Sequence, residues 1–282
     1  MDARAFLGLE PTHNPHRWVL PVVPGICAGG SFLFGGCGLG AAIAALEGTT
    51  GRPLIWATAQ YLDYARPPEV LDIDVTIVVS GHQSTQARAV GHVADREILT
   101  VNAALGERSP QHDGQWEQMP EVPPPASAAP RMLRTPDIES INTRMETRLA
   151  EARDMFTLDG TPGNGRASLW TRIPDILDMS AAVLGIMGDF VPFGVGQAIG
   201  IPAGGNSLDN TLRVAKLVPT EWVLCDVQMH AITNGFGHGL VHLWAEDGTL
   251  LATASQSCIV RTWKEEDLQR MRAMVAGRDQ KD

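Results

Sequence analysis

Three polar residues form a set that could do chemistry: Asp189, Ser207 and Gln256. Asp189 interrupts the apolar run Val183-Leu184-Gly185-Ile186-Met187-Gly188-Asp189-Phe190-Val191. A carboxylate on a sheet-packed helix is costly if dry and unpaired, so it demands hydrogen-bond donors or a wet cavity. Gly185, one turn earlier on the same face, is expected to leave room beside it. Ser207 opens one strand-like run and Gln256 lies in the last one, so a sheet wrapped on that helix could carry both toward Asp189. A hydroxyl and an amide can hold a carboxylate and a water together, which suits general-base activation of water without a covalent intermediate. The competing reading makes Asp189 a solvated helix residue and the other two outward-facing ladder positions.

Other motifs carry less. Gly36-Cys37-Gly38-Leu39-Gly40-Ala41 satisfies GxGxxA at a helix start, but the strands that follow have hairpin-length connections and no βαβ crossover, so close packing of the helix on a sheet accounts for the glycines better than a dinucleotide does. His238 and His242 lie on one strand-like segment. At about 3.3 Å per residue they stand roughly 13 Å apart, too far for one zinc ion, and are expected on a solvent face with no metal site. No GxSxG elbow occurs, and Cys225 and Cys258 sit inside strand-like runs where buried structural thiols are common.

The elements that must position the polar set belong to a doubled frame. Setting residue n against n+152 pairs Pro67 with Pro219, Glu69 with Glu221 and the turn at Asp95 with that at Asp247. Asp189, Ser207 and Gln256 fall opposite Cys37, Ile55 and Ala104, so the set exists in one copy only. Residues 34–47, rich in alanine and leucine behind a glycine cluster, predict a buried helix. Residues 54–64, 70–80, 85–94 and 98–105 alternate with period two and predict antiparallel strands. In the second copy Asp178 is expected to cap a helix over 179–191. Residues 167–173, 207–214, 222–233, 236–244 and 250–261 predict strands there. A long helix lying on a curled antiparallel sheet is an α+β arrangement.

The remaining segments are less periodic. Residues 1–30 read as an irregular lead-in with one edge strand at 18–23. Five prolines between 120 and 130 mark a linker. Residues 137–153 read as a weakly helical strap, and 264–276 as a charged helical tail. The division expected is 1–110, 111–164 and 165–282.

Composition bounds the function. The 282 residues are 44% hydrophobic and 19% charged, an ordinary globular balance. A net charge of −10 without a basic run gives nucleic acid or an anionic membrane surface no footprint, so an anionic ligand must be held by a local cationic cluster. Cys27, Cys37, Cys225 and Cys258 lack metal-type spacing and fit free thiols in a reducing compartment. The segment Met1-Asp2-Ala3-Arg4-Ala5-Phe6 has no signal-like pattern and no run of eighteen apolar residues is seen, so a cytoplasmic protein without stable membrane insertion is expected.

Leu33-Phe34-Gly35-Gly36, Gln60-Tyr61-Leu62 with Ala65-Arg66-Pro67, Ser207-Leu208-Asp209, Glu221-Trp222-Val223-Leu224, Asp247-Gly248 and Ala254-Ser255-Gln256 together resemble the TesB-like double hotdog acyl-CoA thioesterases. The likeness spans roughly residues 30–110 and 165–262, with order and spacing more specific than any single motif. It implies a tandem hotdog, two long helices each wrapped by an antiparallel sheet, that hydrolyses fatty acyl-CoA with no metal or cofactor. It carries the catalytic roles to Asp189, Ser207 and Gln256, with serine where the best-known members have threonine. A backbone amide at Gly35 or Gly36 is the expected oxyanion donor, since helix amino termini present unpaired N–H groups.

Two other readings stay open. A hotdog hydratase would need a catalytic histidine near the aspartate, and none occurs between 113 and 229. A non-catalytic acyl-CoA or lipid-binding protein would use the same tunnel. Candidates for the coenzyme A phosphates are Arg66, Arg166, Arg172, Arg261 and Lys264, and exposed sheet edges favour a homo-oligomer.

Overall fold

Every residue from Gly36 to Leu46 is buried, so α1 (Gly35–Thr50) has no solvent face and fills the N-terminal half of the protein. It stops where Gly51 turns to φ 65° and its amide caps the Glu47 carbonyl. The structure, a computed structural model, describes residues 1–109, 112–176 and 178–264, with Glu266 and Gln269. Around α1 run β1 (Arg17–Pro21), β2 (Leu54–Tyr61), β3 (Val70–Ser80), β4 (Ser84–Val93) and β5 (Arg96–Gly106). In β4, Thr85, Ala87, Ala89 and Gly91 are buried while the residues between them are not, the period-two pattern of a strand with one face on the core.

The C-terminal half contains β6 (Glu146–Glu151), β7 (Arg166–Arg172), α2 (Ala181–Met187), α3 (Val191–Ile199), β8 (Ala203–Ser207), β9 (Asp209–Val214), β10 (Val223–Thr233), β11 (Phe236–Ala245) and β12 (Leu250–Thr262). These strands and those of the first half form one antiparallel sheet ordered β1-β3-β4-β5-β2-β9-β12-β11-β10-β7-β6, with β8 beside β12. The path β3-β4-β5-β2 returns as β9-β12-β11-β10, and the two copies meet where β2 pairs β9. At this seam Thr58 faces Thr211, hydroxyl to hydroxyl at 3.0 Å. Even an irregularity is repeated. A bulge leaves Val78 unpaired in β3, and another leaves His230 unpaired in β10, 152 residues later.

Several expectations are corrected. The helix expected over 179–191 is two helices with a break at 188–190, and Ser180, not Asp178, caps the first through the Val183 amide at 3.3 Å. Pro192 explains the break, because its ring meets the carbonyl four residues back and it has no N–H to continue the ladder. Gly185 faces Ile43 and Gly40 of α1, so it serves helix contact and makes no room for Asp189. A Cβ on Gly36 or Gly40 would lie 2.6 or 2.8 Å from the carbonyl oxygens of Ile186 and Ala182. Those two glycines therefore seat α1 on α2, and of the cluster it is Gly38 that meets the sheet, at Leu99.

The strap over 137–153 is helical only at Ile141–Arg144 and then adds β6 to the sheet edge. The lead-in contains a short helix, Ala3–Leu7, beside its edge strand. The tail expected over 264–276 lies almost wholly outside the described residues. Ala181–Ile199 reaches a mean hydropathy of 1.5, enough to cross a membrane by length and composition alone, but 78% of it is buried among the strands and α1.

Candidate active site

The gap between α2 and α3 is what presents Asp189. Outside a helix its carboxylate is free to meet three elements, and only 6% of the residue is exposed. Ser207 arrives from the end of β8 and Gln256 from the middle of β12. The run expected as one strand from 207 to 214 is split at Leu208, whose amide donates to the Ser257 carbonyl at 2.8 Å and whose carbonyl accepts from the Tyr61 amide at 2.9 Å. Asp209 accepts the Ser257 amide at 2.8 Å, so the aspartate of Ser207-Leu208-Asp209 ties strands together.

The structure brings the three sequence-derived residues into one hydrogen-bonded set. Gln256 Nε2 donates to Asp189 Oδ1 at 2.5 Å, the Ser207 hydroxyl donates to the same oxygen at 3.2 Å, and Gln256 Nε2 also reaches Ser207 Oγ at 3.1 Å. The Val191 amide, at the start of α3, donates to Gln256 Oε1 at 3.1 Å. That backbone donor fixes which end of the amide faces the carboxylate, since only Nε2 can donate. Asp189 Oδ2 accepts one bond, from the Gly36 amide at 2.7 Å. Oδ1 is saturated by two donors and Oδ2 retains a lone pair.

Electrostatics follow from this packing. Burial raises the Asp189 carboxyl above the ordinary aspartate range, while bonds from Gln256, Gly36 and Ser207 pull it partway back. Tyr61, whose hydroxyl donates to the Gly35 carbonyl at 2.9 Å, is pushed well above the usual phenol value by burial and then by the charge of Asp189. The cysteines are free and buried, and burial drives Cys225 up to about 12 and Cys258 to about 11, which keeps them protonated and unreactive.

The two glycines separate in role. The Gly36 amide is engaged by Asp189, so of the two expected oxyanion donors Gly35 is the one whose N–H is not directed at the carboxylate. A Cβ on Gly35 would stand 2.8 Å from Asp189 Oδ2, so the missing side chain keeps the approach to that oxygen open. The histidines lie elsewhere. His238 Nδ1 meets Ser257 Oγ at 3.1 Å, and His242, expected on a solvent face, is 9% exposed against Gln228 and Trp244 because β11 is covered on both sides there.

Two cavities meet at Asp189. The smaller, of about 300 Å³, is walled by Phe32, Phe34, Tyr61, Tyr64, Leu208 and Ile259. The larger, of about 630 Å³, is walled by Met132, Phe193 and Trp263 with Arg131, Arg134 and Arg261. Of the five cations named from sequence, only Arg261 lines either of these two cavities. Arg172 is tied to Glu146 and Glu221 and stacked on Trp222. Sequence reasoning missed Arg131 and Arg134, which lie in the linker, and gave Tyr61 no role. One compositional signal was available, since the chain has two tyrosines and both border the smaller cavity.

Residues 110–260 match the family described as the acyl-CoA thioesterase C-terminal domain. Among solved structures, a protein from Novosphingobium aromaticivorans provisionally assigned as a thioesterase is 33% identical, with 89% of this chain and 97% of that chain covered and a TM-score of 0.80. A hot dog fold protein of unknown function from Alicyclobacillus acidocaldarius is 17% identical, with 93% and 98% covered and a TM-score of 0.80. The acyl-CoA thioesterase II TesB2 of Mycobacterium marinum is 16% identical, with 94% and 99% covered and a TM-score of 0.72. These last two show the shared hotdog fold. No curated protein matches in sequence.

Proposed function

The chain belongs to the acyl-CoA thioesterase family, and from that premise we propose that it hydrolyses fatty acyl-CoA to a free acid and coenzyme A with water activated at Asp189. The observation that carries this reading is the unequal loading of the carboxylate. Oδ1 takes two donors and is held in place, while Oδ2 takes one and faces the space beside Gly35. A water bound to Oδ2 gives up a proton as its oxygen adds to the thioester carbonyl. The Gly35 amide, at the amino terminus of α1, stabilises the developing oxyanion. Collapse breaks the C–S bond, and the proton returns from Asp189 to the thiolate. No covalent acyl-enzyme is formed.

Ser207 and Gln256 act by holding the carboxylate, with the Val191 amide holding Gln256 in turn. We read the two half-sheets meeting at Thr58 and Thr211 as tandem hotdogs that share this one centre. The hydratase alternative is disfavoured by the donors on Asp189, which are an amide side chain, a hydroxyl and a backbone N–H, with no histidine among them. The test is release of free thiol from a panel of acyl-CoAs, followed with a thiol reagent. Turnover on at least one chain length is expected. Binding of every acyl-CoA without thiol release would replace the reading with the non-catalytic binder.

A further inference from the structure

Several arginines of this protein are neutralised by carboxylates. Arg17 pairs with Asp74, Arg96 with Asp63 and Glu69, and Arg172 with Glu146 and Glu221. Arg131, Arg134 and Arg261, around the larger cavity, make no ion pair within 4.0 Å among the described residues. Arg131 lies over the Phe193 ring at 5.0 Å and Arg134 over the Trp263 ring at 5.2 Å, and Arg261 Nε donates to Asn206 Oδ1 at 3.3 Å. Asp154 acts on Arg131 through space without pairing. Among the described residues, Asp189 is the one acidic residue lining the cavity. In a chain of net charge −10, three guanidinium groups around one concavity, without an ion pair among the described residues, are a local concentration of positive charge.

A guanidinium whose carbon lies over an aromatic ring, as in Arg131 and Arg134, is held by the ring without using its N–H groups on a carboxylate, and the guanidinium fork matches paired phosphate oxygens. Met132, between the first two arginines, is fixed by its amide donating to Asp154 Oδ2 at 3.2 Å, which holds the linker against the cavity. We propose that Arg131, Arg134 and Arg261 form the subsite for the phosphate groups of the coenzyme A moiety, so that the nucleotide end lies in the larger cavity and the acyl chain in the smaller one, across Asp189. This rests on the thioesterase reading for the identity of the ligand. It makes the segment after Pro130 part of the site, contributing two of the three cations.

Calorimetric titration with coenzyme A, 3′,5′-ADP, pantetheine and inorganic phosphate tests it. Arg134 and Arg261 are exposed, so Arg134→Gln and Arg261→Gln are expected to keep the wild-type melting temperature. Each should weaken coenzyme A by about tenfold and 3′,5′-ADP in parallel, with pantetheine unaffected. Arg166→Gln, away from both cavities, should leave all four ligands unchanged. Inorganic phosphate competing as well as 3′,5′-ADP, or wild-type coenzyme A affinity in the Arg134→Gln/Arg261→Gln double variant, would overturn the subsite. Arginine-dependent binding by a chain that releases no thiol from any acyl-CoA would leave the subsite standing and remove the hydrolytic reading instead.

Discussion

The amide of Gly36 donates to Oδ2 of Asp189 at 2.7 Å across 153 residues of sequence. Gly36 belongs to the first turn of α1, where N–H groups have no intrahelical acceptor and the helix dipole favours a negative charge. One half of the doubled frame thus supplies the donor and the other the carboxylate. Neither half owns the site.

Replacing Asp189 with Asn removes the base while preserving shape. Turnover of a good acyl-CoA should fall by about 10²–10⁴-fold with an unchanged circular dichroism spectrum. Hydrolysis at the wild-type rate in this variant would remove Asp189 from the mechanism.

The pH dependence has a definite sign. Burial raises the Asp189 carboxyl, and a base must be ionised, so kcat/KM should fall as pH drops through a value above the ordinary aspartate pKa of about 3.9. Stability runs the other way. The folded state holds that proton more tightly than the unfolded chain, so between the ordinary and the raised value wild type should lose stability relative to Asp189→Asn as pH rises. Parallel melting curves for the two proteins across that window would contradict the burial argument.

Gly35→Ala and Gly36→Ala should separate activity from folding. A Cβ at 36 meets backbone, the Ile186 oxygen at 2.6 Å and Cα at 3.0 Å, so that variant should lose about 1–3 kcal/mol of stability as α1 and α2 are pushed apart. A Cβ at 35 meets side chains instead, Asp189 Oδ2 at 2.8 Å and Tyr61 Cζ at 3.1 Å. Thiol release should be lost there with a melting temperature closer to wild type.

Ser207 offers a graded test. Ser207→Ala deletes one donor to Oδ1 and one acceptor for Gln256, and should cost about tenfold in kcat, the worth of a hydrogen bond to a charged group. Ser207→Thr keeps the hydroxyl and should restore most of it. Equal rates for the alanine variant and wild type would leave Gln256 and Gly36 as sufficient supports.

Features written in local periodicity were legible in the sequence. β4 and the first half of β11 alternate with period two 152 residues apart, whereas β7 and β10 carry continuous buried runs because both of their faces are covered there. Asp189, Ser207 and Gln256 were found because an aspartate in an apolar run is conspicuous and a repeat exposes what one copy lacks. The division of the second helix was missed although Pro192 is plain to see, because hydrophobicity runs through the break. Arg131 and Arg134 were missed for a different reason. They follow a proline-rich stretch with no periodicity, and only the three-dimensional path of the linker brings them to the cavity. Gly36 was expected to face substrate and instead holds Asp189, a partnership set by helix packing that spacing along the chain does not encode.

Cys37, the counterpart of Asp189 in the first copy, is a buried thiol kept from ionising by burial first and by the charge of Asp189 second. The matched positions are therefore close enough to feel one another. A carboxylate at both would place two like charges in a dry interior, and one of the pair would keep its proton, as neighbouring acids do. Neutrality at position 37 spares position 189 that competition for a proton. The inequality of the halves is in this sense an electrostatic condition for reactivity, because a frame with matched halves this close can accommodate a single negative charge at its centre.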